Sequence, residues 1–403
     1  MKNQIFFYQK NFLIIVVRLI LILLLIFLFF QSNQTFPLVK SNIKLSTIYE
    51  PIERFGITAP YLYSVENLES FNVKAVLDWQ NDNSIPLPPH IEYIHVLRVS
   101  DDLYSSELAS LPTLIPINIG EVWIIGNEPD RFCYQDSVNP EVYAERFFEM
   151  ATIIQSIDPS AQLGFGTVVQ PTPIRIRYLQ RAIDRLVELN GNDVELAMNL
   201  IDIWSVHAFI LNEHPFNWGA GIPVGFYTYT QDDVNAGRIS TACFTGDVYT
   251  NDTAGQVSIS DFSDTHSISI FIDRIIEFRT WLNQIGEQDK PLWITEYGSL
   301  FPPVDPPGGP DYVNVSDIDT TNFMLDSFDF LLNARDESIG LAEDDYHLVQ
   351  RWFWYSLNDY RYVFGGSLLD PAENLEMTYV GEAFKEFTDY LSRVSTYLPL
   401  VIK

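Results

Sequence analysis

The stretch Val122-Trp123-Ile124-Ile125-Gly126-Asn127-Glu128-Pro129-Asp130, with Asn139-Pro140-Glu141 shortly after it, decides the fold. Its opening is a short, nearly continuous apolar run, as in a parallel strand covered on both faces. Asn139-Pro140-Glu141 then offers an N-cap, a first-turn proline and a first-turn acid. Tyr143, Phe147, Met150, Ile154 and Ile157 follow at helical spacing until Asp158-Pro159 stops the run. A buried strand joined to an amphipathic helix is the repeating unit of an α/β protein.

The same unit recurs in both directions. Strand-like runs are read at Arg54–Ala59, Val73–Leu77, Tyr93–Val99, Val122–Gly126, Gln162–Thr167, Ile201–His207, Leu292–Glu296 and Arg351–Ser356, eight in all. Helical stripes recur in 174–189 (Ile176, Leu179, Ile183, Leu186), in 268–285 (Ile268, Phe271, Ile275, Phe278, Leu282) and in 378–395. Strand and helix alternating eight times over about 350 residues is the pattern of a single (β/α)8 TIM barrel. Its predicted limits are 46–395, with no internal sequence repeat and no second domain. Length agrees: 403 residues, 47% apolar, are many for one ordinary domain but fit an α/β barrel.

Two connections are long. Residues 208–265, after the sixth strand, are rich in Gly, Asn, Asp and aromatics, among them Phe216, Trp218, Phe226, Tyr227, Tyr229, Phe244 and Tyr249. Residues 299–318, after the seventh, carry Pro302-Pro303 and Pro306-Pro307-Gly308-Gly309-Pro310. Loops of this length in a compact domain are functional or disordered, and the aromatic content points to an ordered wall around a site. Trp218, Tyr227 and Tyr229 either line outer subsites or pack their own loop.

The first thirty residues are of another kind. Lys2 and Lys10 precede an apolar stretch, Phe12 to Phe30, broken only by Arg18. Leu19 to Phe30 has the length of a signal-peptide core; counted through Arg18, the stretch suits a tilted signal anchor. No small-x-small cleavage site follows in Gln31-Ser32-Asn33-Gln34. Residues 1–30 are therefore read as a signal peptide or signal anchor, with membrane anchoring through 12–30 as one of the two outcomes. Residues 31–45 read as a connector and 396–403 as a C-terminal tail. An extracellular or cell-surface location is expected either way.

Charge and composition exclude other classes. Lys and Arg number 24 against 53 Asp and Glu, a formal net charge of −29 that repels phosphate backbones, so nucleic acid is not an expected partner. Two cysteines, Cys133 and Cys243, are too few for a disulfide scaffold, and no Cys/His spacing resembles a zinc site. No metal and no cofactor is expected. A phosphate-handling barrel would want a glycine-rich loop after strands seven and eight, and only Gly365-Gly366 is available there.

The chemistry stands where a barrel places it, at the C-terminal ends of strands. Asn127-Glu128-Pro129 ends the fourth strand, and Trp293-Ile294-Thr295-Glu296-Tyr297-Gly298 ends the seventh. Each sets a carboxylate just past a buried strand, where charge is costly unless an open cleft or a partner meets it. A capping or salt-bridging role explains either glutamate alone; the pair, on strands four and seven, points to catalysis.

These motifs resemble the clan A glycoside hydrolases, the superfamily of cellulases, β-xylosidases and β-mannanases, which carry Asn-Glu at the end of strand four and a second Glu at the end of strand seven. The resemblance extends to Trp204-Ser205-Val206-His207-Ala208-Phe209 and to Trp352-Phe353-Trp354-Tyr355-Ser356-Leu357-Asn358-Asp359, covering about 46–395. It implies a retaining O-glycoside hydrolase acting on a β-linked oligo- or polysaccharide by double displacement. Glu128 would be the acid/base, Glu296 the nucleophile, and Asn127 a contact to the substrate 2-hydroxyl. A catalytically inactive carbohydrate-binding barrel is the alternative, although such a barrel typically loses one glutamate. One position departs from the clan, which commonly has His-x-Tyr on strand six with the tyrosine donating to the nucleophile. Phe209 stands there and cannot donate, which leaves Tyr297 or a tyrosine of the long loop for that role.

Further site residues follow with their alternatives. His207 contacts substrate or nucleophile, or is a satisfied core histidine. Trp354 is the expected sugar platform, with Trp352, at i−2 on the same face, in its place or in the core. Arg98 orders a catalytic carboxylate or pairs with Asp101. Cys133, just beyond the acid/base glutamate, and Cys243, in the loop after strand six, both belong to the top face. Export would permit a bridge if their Cα atoms approach within about 7 Å.

Overall fold

The structure, a computed structural model, describes residues 49–397 apart from 61–62, 83–84, 260–261, 302–315, 360–363 and 371–372. The segment 1–30, the connector 31–45, most of the 299–318 loop and the tail beyond 397 lie outside the described residues. Among the described residues no helix is long and apolar enough to cross a membrane.

Eight parallel strands close a barrel: β1 (Phe55–Thr58), β2 (Ala75–Leu77), β3 (Glu92–Leu97), β4 (Val122–Ile125), β5 (Gln162–Val168), β6 (Ile203–His207), β7 (Leu292–Gly298) and β8 (Arg351–Tyr355). Closure runs through Phe55 opposite Trp352 and Ile57 opposite Trp354. Each strand falls on a run read from the sequence, with ends shifted by a residue or two. The chain is thus a (β/α)8 barrel, as expected.

Among the described residues the helices are α1 (Val65–Ser70), α2 (Tyr104–Leu114), α3 (Pro140–Ile157), α4 (Pro173–Leu189), α5 (Val194–Met198), α6 (Gln231–Asn235), α7 (Ile268–Gln284), α8 (Asp317–Asn333) and α9 (Tyr379–Tyr397). The α3 start is built as its sequence implies: the Asn139 side chain accepts from the Val142 N–H at 2.9 Å, and Pro140 takes the first turn. Its stripe Tyr143, Phe147, Met150 and Ile154 is buried against the barrel. Helices α1, α2, α5, α6 and α8 carry no clean apolar stripe. Helix α8 buries Thr320, Thr321 and Ser327 among its apolar residues, and α2 contains Pro112 and buries only Leu111. A two-residue antiparallel pairing, Leu369–Asp370 with Glu376–Met377, leads into α9 and has no counterpart in the sequence reading.

The barrel interior is filled by Ala75, Leu77, Ile94, Val96, Val122, Ile124, Ile203, Trp293 and Phe353. Residues of opposite parity, such as Phe55, Ile57, Trp123, Trp204, Trp352 and Trp354, pack outward against the helices. Two interior positions are glycine for want of space. A Cβ on Gly56 would collide with the Phe353 ring, and one on Gly164 with Ile124.

Regularity fails only at the rim. The register shifts between Gly166 and Val168 on β5, and between Ile294 and Tyr297 on β7. In β7 one extra residue, Thr295, lets Glu296 pair with His207 while Ile294 pairs with Val206. Regular alternation from Trp293 would turn Glu296 toward the helices; the bulge brings it to the barrel mouth instead.

The 208–267 connection holds α6 and short turns at Thr241–Cys243 and Phe262–His266. Its aromatics mostly pack the loop itself: Trp218 stacks on Phe262 at 4.3 Å between ring centres, and Phe216 meets both Tyr227 and Tyr229 edge-on. A buried ionic knot ties the loop to the barrel. Arg175 pairs with Asp130 and, from Nε, with Glu213 at 2.8 Å, while Glu213 also accepts from Gln170 and Thr172. Cys133 and Cys243 are bonded, with their Cα atoms 5.0 Å apart.

Candidate active site

Glu128 and Glu296, carried by β4 and β7, three places apart around the barrel, meet at its mouth. Both are buried, 2% and 5% exposed. One carboxylate oxygen of each and one His207 nitrogen lie within 4.8 Å of one another. His207 stands between them, with Nδ1 3.1 Å from Oε1 of Glu128 and Nε2 3.3 Å from Oε1 of Glu296. This is the trio of metal-ligand type found among the described residues. His207 thus turns its two ring nitrogens to two different carboxylates, hydrogen-bonding Glu128 and standing within ion-pair reach of Glu296.

Local backbone sets each aim. Glu128 takes φ +44 at the turn after β4, its N–H donating to Thr167 O at 3.0 Å. Such a backbone is uncommon for a residue with a side chain, and strain of this kind clusters at functional sites. The turn is held by Asp136, whose Oδ2 accepts from the Asn127 and Val99 N–H groups at 2.7 and 3.1 Å. Arg98 anchors that carboxylate, donating from Nε to Asp136 Oδ1 at 2.7 Å. Arg98 therefore takes neither of its expected roles directly: it pairs with Asp136, and Asp101 pairs with Arg146. The Asn127 amide donates to Gln135 Oε1 at 3.1 Å, beside the glutamate it precedes.

Two expectations are corrected. Tyr297 is fully buried on the outer side of β7, where it receives a hydrogen bond from Ser327 and packs against Phe271 and Trp354. It neither contacts Glu296 nor lines the mouth, because the bulge that turns Glu296 inward sends the next residue outward. Trp354 also faces outward, its Nε1 donating to Gly366 O at 2.7 Å and its ring against Phe328, and Trp352 packs on Phe55. Both indoles belong to the core between sheet and helices. Parity leaves Tyr355 as the β8 residue at the mouth, its ring centre 5.9 Å from those of Trp79 and Phe209.

Three neighbours of the site escaped the sequence reading. Trp79, half-buried and two residues past β2, donates from Nε1 to Oε1 of Glu296. Arg131 donates from Nη1 to Oε2 of Glu128 at 3.0 Å. Tyr355 donates to Asp359 at 2.6 Å. A signal for Arg131 was its place three residues after Glu128; one for Trp79 was its place at a strand end on the same face.

These partners set the proton inventory. Burial alone would raise Glu128, but Arg131 and His207 outweigh it and hold the carboxyl down at about 2. Burial pushes Glu296 up to about 7, with His207 opposing, the Glu128 charge reinforcing, and the Trp79 hydrogen bond pulling back. Burial disfavours a charged His207, yet Glu296 and Glu128 together raise it above the ordinary imidazole value. The surroundings thus favour an ionised Glu128 beside Arg131 and His207, while burial favours the protonated form of Glu296.

No protein-family model matches the chain, and no curated protein matches it. Its fold does match solved structures. A monomeric beta-xylosidase from Caulobacter crescentus CB15 is 12% identical, with 84% of this chain and 68% of that one covered at a TM-score of 0.50. A glucosidase from Croceicoccus marinus is 10% identical over the same shares at 0.49. An oligosaccharide-binding protein from Trichoderma gamsii is 11% identical, covering 85% of this chain and 98% of that one, at 0.47. At such identities the likeness to the xylosidase is one of fold.

Proposed function

We propose that this chain is a retaining O-glycoside hydrolase acting on a β-linked oligo- or polysaccharide outside the cell or at its surface. The observation that carries the reading is the pair Glu128 and Glu296, converging from strands four and seven with carboxylate oxygens within 4.8 Å at the barrel mouth. Such a close approach of one oxygen from each side accords with double displacement, in which the two carboxyl groups stand roughly 5–5.5 Å apart.

In the first half the pair's one proton passes from Glu296 to Glu128; the freed Glu296 carboxylate attacks the anomeric carbon as the glycosidic C–O bond breaks, and Glu128 gives that proton to the departing oxygen. In the second, Glu128 takes a proton from water, which displaces Glu296 from the glycosyl-enzyme. His207, touching both carboxylates, is placed to follow the charge as it passes between them. Asn127 is the proposed contact to the sugar 2-hydroxyl.

A proton nuclear magnetic resonance time course on a panel of β-glucan, xylan, mannan and galactan oligosaccharides tests the reading. The first product should keep the substrate's anomeric configuration; an inverted first product overturns the mechanism.

One observation favours a second reading, a barrel that binds sugar without cleaving it: Arg131 holds the proposed acid ionised. Binding by calorimetry, with no product from any member of the panel after prolonged incubation, would establish it.

A further inference from the structure

Resting on the assignment of Glu296 as nucleophile, we propose that Trp79 is the neutral donor that aims the Glu296 carboxylate at the anomeric carbon, with the loop 78–82 built to hold it there. Phe209 has no donor to offer and Tyr297 faces away, so neither serves Glu296. Trp79 Nε1 and His207 Nε2 both reach Oε1 of Glu296. The two are not equivalent. His207 is shared with Glu128, and once neutral it keeps a proton on only one ring nitrogen. An indole N–H donates at every working pH.

The backbone around Trp79 supports the assignment. Trp79 has φ +59, an uncommon conformation for a large aromatic residue and one that persists only when its surroundings impose it. Here β3, together with Tyr63 ahead of α1, imposes it on both sides of Trp79. The Asp78 carboxylate accepts from Tyr93 at 2.5 Å and from Tyr63 at 3.3 Å, and Gln80 O accepts from the Val96 N–H at 2.9 Å. Asn81 O meets His95 Nδ1 at 2.9 Å. The ring itself rests against Tyr355, which in turn meets Phe209. Phe209 thus props the ring that supports the donor, and Asp78 and Tyr93 are positioning residues for Trp79.

The charged and titratable groups around Glu296 are Glu128 and Arg131 from the turn after β4, His207 from β6 and Tyr355 from β8. Replacing Trp79 by Phe keeps the apolar contact and alters none of them. In Trp79→Phe, kcat should fall about tenfold to a hundredfold, as for loss of a hydrogen bond to a charged group. KM should change far less. The limb of the pH–rate profile near 7 should move upward, because the ionised carboxylate loses a donor. An unchanged kcat with an unmoved limb overturns the proposal.

A second measurement needs neither turnover nor the variant's stability. In the wild-type protein labelled with 15N at the indole, the Trp79 Nε1–H resonance should shift with pH around neutrality, and that titration should vanish in Glu296→Gln. A resonance indifferent to pH and to Glu296→Gln sinks the inference even if sugars are hydrolysed. Absence of hydrolysis beside a titrating resonance sinks the nucleophile's function instead and leaves the hydrogen bond standing.

Discussion

The Arg131 guanidinium lies 3.0 Å from Glu128, three residues away on the same turn, and so the carboxyl proposed as the acid begins as one half of an ion pair. Glu296 holds the pair's proton at rest. Two carboxyls this close titrate together, so the proton count of the pair governs turnover, whichever oxygen carries the proton.

The pH profile follows. The pair carries one proton between about 2 and about 7. Loss of that proton leaves nothing to protonate the leaving group, so kcat/KM should hold through the acidic range and fall as pH rises past about 7. Replacing Arg131 by Gln removes a positive charge that stabilises both carboxylates, so both values rise and the falling limb moves to higher pH. Initial rates across the pH range check this, and a limb that stays put in Arg131→Gln contradicts it.

The two glutamates should separate on substrates with good leaving groups. Glu296→Gly should abolish turnover. Glu128→Ala should stall after a burst of leaving group, because deglycosylation lacks its base, and azide should restore release as a glycosyl azide of retained configuration. Product analysis decides it, and azide rescue with inversion in the Glu128 variant would exchange the two roles.

The knot of Arg175, Asp130 and Glu213 is fully enclosed. Arg175→Met would strand two carboxylates away from water, at a cost of about 3–5 kcal/mol. Chemical denaturation should show a midpoint lowered accordingly; a change under 1 kcal/mol would mean that water reaches the site.

The Cys133–Cys243 bond closes a loop with a sequence separation of 110. Chain-entropy arguments give such a closure up to roughly 4–5 kcal/mol. The protein purified without reductant should show no free thiol when denatured, and the double serine variant should melt at a lower temperature. Two titratable thiols in the unreduced protein would refute the bridge.

The barrel was legible because its signal is repeated: eight apolar runs, and helices such as α3 with a cap, a proline and a buried stripe. Glu128 and Glu296 were legible as a pair: either alone has an innocent explanation at a strand end, and it was their joint place after strands four and seven that singled them out. What stayed hidden depended on geometry that residue order does not carry. The Thr295 bulge reverses the facing of Glu296 and Tyr297, so counting by twos misplaced the donor. The same counting could not choose between the Trp352/Trp354 face and the Phe353/Tyr355 face of β8, since both faces of a covered parallel strand are apolar. Trp79 reaches Glu296 from 217 positions away, through a turn held by β3 and Tyr63.

The turn carrying Glu128 and the long loop beyond β6 are joined at four neighbouring points. These are the disulfide, the Phe132 ring stacked 4.0 Å from Tyr229, the bridge between Arg131 and Pro223, and the Val224 N–H donating to Asp130 O at 3.0 Å. One side of the cleft cannot swing outward without dragging Glu128 along. The chain therefore orders this part of the barrel mouth while it folds, and on the proposed function an arriving sugar would not bear that entropy again. Recognition there would work by preorganisation: the arrangement a ligand would meet is the one it would leave.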